Sequence, residues 1–201
     1  MDFRLTHAEI NILRDIFSPR IVTFEKKENI ICSPQRLYIV LDGLLYLCTE
    51  NELYERSILR FMRQGEILTS SLTIDIYNGI SYILAKTSCK MAVISKRDID
   101  LYLSDHPLWR ERLNEVMNDG PHEHELYMNY MLHRKTIRSR LLCFLRDESK
   151  SQQSDSLHLP LPLSDVADYL GVERTALMKE IGKMKKEGII KGKNRDITLL
   201  V

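Results

Sequence analysis

The stretch LPLSDVADYLGVERTALMKEIGKMKKEGIIKGKNRDITLLV, from Leu161 to Val201, leaves the chain few ways to fold. Ser164 stands where a helix start needs a capping hydroxyl, and Asp165 follows in the first turn, where a negative charge meets the positive end of the helix dipole. Val166, Ala167 and Leu170 supply the inner face, and Gly171 ends the helix at a position that favours a left-handed residue. A second helix is expected from about Glu173, with Leu177, Ile181 and Met184 on one face. At about 100° per residue, Thr175, Lys179, Gly182 and Lys186 fall on the opposite face, within roughly 60° of one another. Two short helices joined by a glycine turn, the second basic on its outer side, describe a helix-turn-helix.

The chemistry of that outer face points to nucleic acid. Arginine near the helix start, here Arg174, can reach guanine edges with both arms of its guanidinium; lysines neutralise phosphates, and Gly182 permits close backbone approach. GIIKGKNRDITLLV then reads as two strands around a turn from Lys191 to Asp196, a wing whose Lys191, Lys193 and Arg195 are placed to straddle a phosphate backbone. The whole chain has a net charge of only +1, yet between Val172 and Arg195 eight bases face three acids. A basic end on a near-neutral chain points to a polyanionic partner.

Before this unit the pattern changes twice. From Ile21 to about Lys96 the runs IVTF, LYIVL, LLYLC, SILRFM, SYILA and MAVIS alternate with turn signals at Ser33-Pro34, Asp42-Gly43, Asn51, Gln64-Gly65 and Asn78-Gly79, which predicts an antiparallel barrel or roll with a tight hairpin at Asp42-Gly43. Ahead of it, THAEINILRDIF carries a Thr6 cap with Glu9 three residues on, the start of a short helix. From about Lys96 to Arg146 the sequence reads as helix. Leu113, Met117, Gly120, His124, Tyr127 and Met131 recur at steps of four and three, the seam by which a long helix packs on a copy of itself, interrupted at Gly120-Pro121 where a break is expected. RDESKSQQSDSLHLPLP has the composition of a linker.

Other chemistries are poorly supported. No apolar run approaches the ~18 residues of a membrane span and the first residues show no leader pattern, so a cytoplasmic protein with no membrane partner is expected. Cys32, Cys48, Cys89 and Cys143 are scattered without a paired spacing, and read as reduced thiols packed as small apolar groups. In HEHE, His122 to Glu125, residues two apart point in different directions on a helix and no third ligand stands at metal spacing. Haem ligation by His124, His133, Met117 or Met131 has no specific pattern behind it, so no metal and no cofactor are expected. There is no nucleophile elbow, no Walker loop and no paired-carboxylate constellation, and an enzyme is not expected.

Taken in order, LYIVLDGLLYL, RFMRQGEIL, AKTSCKMAVISKRD, TIRSRLLCFL and LSDVADYLGVERTALMKEIGKMKKEGII resemble the cyclic-AMP receptor / fumarate-nitrate regulator (CRP/FNR) family of bacterial transcription factors along nearly the whole chain. The resemblance implies an α+β chain: a β-roll (jelly-roll) like a cyclic-nucleotide-binding domain with its amino-terminal helix over 1–105, a long dimerisation helix over 106–146, and a linker with a winged helix-turn-helix over 147–201. It also implies a homodimer on a pseudo-palindromic double-stranded operator, with RNA polymerase as a further partner. Arg174, Thr175 and Lys179 fall where the family reads bases and adjacent phosphates; with Ser164, Met178, Lys183, Lys186, Lys191 and Lys193 they make the candidate DNA contacts. Thr175 replaces the glutamate common in well-known members, so a different operator is implied.

In the roll, Gly65 and Glu66 match the Gly-Glu of the family's nucleotide cassette, but the positions of its phosphate-gripping arginine and hydroxyl fall on Gly79 and Ile80. An anion buried without a cation costs several kcal/mol, so cyclic-nucleotide binding is not expected. Gly65, Glu66, Thr69, Ser70, Gly79 and Ile80 are the candidate effector pocket. The oxygen-sensing branch needs clustered amino-terminal cysteines, and none precedes Cys32. Two other readings stay open: a sensor for a non-nucleotide small molecule that gates DNA binding, and a dimeric interaction protein that reads no DNA.

Overall fold

The computed structural model describes residues 4–50, 56–69, 80–119 and 133–200. The chain divides into two units, Met1–Glu125 and Leu126–Val201.

In the first unit the Thr6 hydroxyl accepts from the Glu9 backbone N–H, and the Glu9 carboxylate accepts from the Thr6 N–H at 2.6 Å. This reciprocal cap starts helix α1, His7–Phe17, whose Ile10 and Leu13 are buried. Among the described residues eight strands follow: β1 Arg20–Phe24, β2 Asn29–Ile30, β3 Arg36–Asp42, β4 Leu45–Glu50, β5 Arg56–Met62, β6 Ile67–Leu68, β7 Ile80–Ala85 and β8 Cys89–Ser95. They form two antiparallel sheets, ordered β1-β8-β3-β6 and β2-β7-β4-β5. The two-residue strands β2 and β6 are too short to show a sequence period.

β3 and β8 are apolar at nearly every position because both of their faces are covered. Tyr38, Val40, Met91 and Val93 join Leu45, Leu47, Met62 and Ile83 of the other sheet in one core. Leu37, Ile39, Ala92 and Ile94 join Ile10 and Leu13 of α1 in another. The expected hairpin at Asp42-Gly43 is not formed: β3 pairs with β6 and β8, while β4 pairs with β5 and β7, so this turn carries the chain from one sheet to the other. Glycine is required there on two counts. Its φ is +101°, and a Cβ would sit 2.7 Å from the Ser88 carbonyl oxygen and 2.6 Å from Cys89 Sγ.

After β8 the chain forms α2, Lys96–Asp105, and α3, Pro107–Asn114, then a π-helical turn, Glu115–Asp119. Helix was expected to run on from Lys96, but it stops at His106 because Pro107 opens a new helix at the one position where its missing N–H costs nothing. Arg112 ties α3 to the amino-terminal segment, donating to Glu9 Oε1 and to the Arg4 carbonyl, each at 2.8 Å. Leu113, placed in the dimer seam by its spacing, is 1% exposed and packs with α1 and the first sheet, so it has no surface left to offer a partner. Met117 packs against the same cluster. Gly120, His124, Tyr127 and Met131 of that seam, with Pro121 and the HEHE stretch, lie outside the described residues.

Among the described residues of the second unit the first helix is α4, Ile137–Gln152, capped by the Thr136 hydroxyl accepting from the Ser139 N–H. Next come β9, Ser156–His158, then α5, Leu163–Leu170, α6, Arg174–Lys186, β10, Ile190–Lys193, and β11, Asp196–Leu199. The three strands form one sheet ordered β10-β11-β9. RDESKSQQSDSLHLPLP is therefore not a linker: its first half is the polar end of α4, and Ser156–His158 pairs with β11 as a third wing strand. α4 buries Leu141, Phe144, Leu145 and Glu148.

Candidate nucleic-acid interface

The helix pair forms as its local chemistry dictates, with one change at the start. α5 begins at Leu163, with Pro162 preceding it and no side chain capping it. Ser164 is thus inside the first turn, where its hydroxyl donates to Asp165 Oδ1 at 3.0 Å. Gly171 closes α5 at φ 61°, ψ 44°, and its N–H donates back to the Asp168 carbonyl at 3.2 Å. Phe144 of α4 meets Tyr169 of α5 edge to face, ring centroids 5.8 Å apart.

α6 has two unlike sides. Leu177, Ile181 and Met184 are buried at 0%, 3% and 0% exposure. Arg174, Thr175, Met178, Lys179, Lys183 and Lys186 are exposed. A Cβ added at Gly182 would meet nothing within 4 Å, so this position lies open beside the exposed side chains. The hairpin of β10 and β11 turns at Asn194, φ 55°, and leaves Lys191 and Lys193 exposed.

Arg195, expected with those lysines at the backbone of a nucleic acid, is instead committed to the fold. Its Nε donates to the Leu159 carbonyl at 2.7 Å and a terminal nitrogen to the Pro160 carbonyl at 2.9 Å, which leaves it half-buried.

Two arginines of α4 that sequence analysis did not single out hold the helix pair. Arg140 donates to the carbonyls of Leu170 and Gly171, at 3.1 and 3.2 Å, in the turn between α5 and α6, and through Nε to the Arg134 carbonyl at 3.0 Å. Arg138 donates from Nε to Glu180 Oε1 at 2.5 Å and from its terminal nitrogens to both oxygens of Glu187 at 2.6 and 2.9 Å. These bonds hold the Glu187 carboxyl below the usual carboxylate range and raise the Arg138 guanidinium further, Glu187 contributing more than Glu180. No sequence signal marks such pairs, because the partners stand more than forty residues apart.

In the first unit, Gly65 and Glu66 form the turn from β5 to β6. Gly65 has φ +88°, donates to the Val40 carbonyl at 2.9 Å and accepts from the Leu5 N–H at 2.8 Å; a Cβ there would collide with the Leu5 carbonyl. The Glu66 carboxylate accepts from Arg60 of β5 at 2.5 Å, with the two side chains 9% and 11% exposed. Arg60 was also missed, although a signal was present: in RSILRFM it alternates with Ile58 and Met62, and all three are buried. Thr69 is half-buried just past β6, and Ile80 opens β7 opposite Glu50. Ser70 and Gly79 lie outside the described residues. The two glycine-glutamate positions are therefore brought together with an arginine, but one that comes from β5.

Residues 139–200 match the family model described as the Crp-like helix-turn-helix domain. No curated protein matches the chain. Among solved structures, FixK2 from Bradyrhizobium japonicum is similar over 91% of this chain and 93% of its own, with 18% identity and a TM-score of 0.72. A mutant of CooA from Carboxydothermus hydrogenoformans is similar over 98% and 94%, with 19% identity and a TM-score of 0.73. A transcriptional regulator of the CRP/FNR family from Thermus thermophilus is similar over 90% and 94%, with 19% identity and a TM-score of 0.58. The carboxy-terminal residues 139–200 thus match a Crp-like helix-turn-helix domain, and the chain shares its fold with these solved regulators.

Proposed function

We propose that the protein is a homodimeric, cytoplasmic regulator that reads a pseudo-palindromic operator with one α6 from each copy, and that RNA polymerase is its further partner. The observation that carries this reading is the division of α6 into a buried apolar stripe and an exposed side with Arg174, Thr175, Met178, Lys179, Lys183 and Lys186. Arg174 and Thr175, at the helix start, suit base edges, Met178 suits a thymine methyl group, and the lysines suit phosphates. Ser164 at the start of α5 and Lys191 and Lys193 on the wing suit flanking phosphates. Among the described residues no helix is long and apolar enough to cross a membrane. Capture of sheared genomic DNA by the protein at moderate salt, followed by sequencing, is expected to enrich a pseudo-palindromic motif; uniform recovery that falls away with salt would leave only a nonspecific polyanion binder.

The roll, in the same reading, takes no cyclic nucleotide. Two observations support this: Glu66 already accepts from Arg60 in a buried pair, and Gly79 and Ile80 stand where the family's phosphate grip is expected. A non-nucleotide effector for the pocket of Gly65, Glu66, Thr69, Ser70, Gly79 and Ile80 is the second reading, favoured by Arg60 as a cation at that turn. Thermal-shift titration distinguishes the two. Cyclic AMP and cyclic GMP are expected to leave Tm unchanged, and stabilisation by either would overturn the first reading, whereas stabilisation by a small organic acid would favour the second.

A further inference from the structure

The bonds of Arg138 differ from the other contacts of α6 in being directional. Leu177, Ile181 and Met184 hold the helix through apolar packing, which tolerates a small rotation about the helix axis; a guanidinium fork closed on two carboxylates does not. The two acids are seven residues apart, about two turns and roughly 10 Å of rise, and so lie on one side of the helix. That side is about 100° round from Lys179 and Lys186, which leaves the basic strip uncovered. Arg140, one half-turn along α4, holds the carbonyls of the preceding turn, so a single helix start fixes both ends of the approach to α6.

We infer that Arg138 is a positioning residue for the recognition helix: by holding Glu180 and Glu187 together it sets the rotation of α6, and with it the sequence specificity of DNA binding. The inference rests on the DNA-reading function proposed above. Base-edge readout depends on placement within about 0.5 Å and 10–20°, whereas phosphate neutralisation by mobile lysines does not. Loss of the fork therefore lowers affinity for the specific site and leaves nonspecific affinity in place.

Lysine at this position keeps the charge and loses the fork, which makes Arg138→Lys the informative variant. A randomised duplex pool is selected with the wild-type protein, and binding of the enriched duplex and of an unrelated duplex of equal length is then measured for wild type, R138K and E180Q/E187Q, each full length and checked for an unchanged helical content. R138K is expected to bind the enriched duplex at least about tenfold more weakly, a change equal to roughly 1.4 kcal/mol, with nonspecific affinity and salt slope as in wild type. The double glutamine variant is expected to show the same loss, and R138K added to it no more. An enriched duplex that R138K binds with the wild-type specificity ratio would overturn the inference alone. A wild-type selection that enriches nothing would remove the DNA-reading function, and the inference with it.

Discussion

Arg60 and Glu66 show how burial changes the meaning of a charged residue. In water such a pair contributes little, but here both side chains are about nine-tenths buried, so each is needed to compensate the desolvation of the other. Arg60→Met is expected to destabilise the first unit by about 3–5 kcal/mol in urea unfolding, and Arg60→Met with Glu66→Leu by much less, because the second change removes the orphaned charge. The thiols behave in a related way: burial pushes Cys32 up to about 11, Cys48 and Cys89 are buried as well, and Cys143 is only half-buried. Alkylation of the native protein, followed by mass spectrometry, is expected to label Cys143 first and the other three only on unfolding. At Glu187 the bonds from Arg138 depress the carboxyl, so its contribution to stability is complete above the ordinary carboxylate pKa of about 4.3 and is lost as pH falls through the depressed value. The stability difference between wild type and E187Q is expected to be full at pH 7 and to narrow progressively as pH is lowered below the ordinary carboxylate range, as read by urea unfolding across a pH series; a difference that does not change with pH would show that ionisation of Glu187 contributes nothing.

Among the elements, legibility followed the reach of the forces involved. α1 could be read from its capping box, and α5 and α6 from Gly171 and the Leu177, Ile181, Met184 stripe, because all of these signals act within one or two helical turns. The long strands showed in their composition. What could not be read depended on partners distant in sequence: β3 and β4 look like a hairpin across Asp42-Gly43, and only their pairing with β8 and β7 separates them. β9 is three residues whose strand character exists only beside β11. Leu113 fitted a helix-to-helix seam by spacing, but the first sheet and α1 claim it. The basic face of α6 was legible residue by residue; Arg138 and Arg140, which hold it, were not, since nothing local marks a guanidinium that will meet a carboxylate in another helix. At this level, Leu177→Ala is expected to cost about 2–5 kcal/mol and to lose DNA binding together with the fold of the second unit, as circular dichroism and thermal unfolding would register.

The molecule as a whole joins a two-sheet roll to a winged helix-turn-helix, and its charge is divided the same way, near neutral over most of the chain and basic at the end. Its residues 139–200 match a Crp-like helix-turn-helix domain and its fold is shared with solved regulators, and in this chain the exposed side of α6 is what the proposed DNA-binding function would use. Substituting alanine for both Arg174 and Lys179 tests that use most directly, since both side chains are exposed and neither supports the core. By mobility shift on a duplex selected by the wild-type protein, the double variant is expected to lose specific binding, while its thermal midpoint and its mass by light scattering stay at wild-type values. Retention of specific binding by that variant would contradict the assignment of α6 as the element that reads DNA.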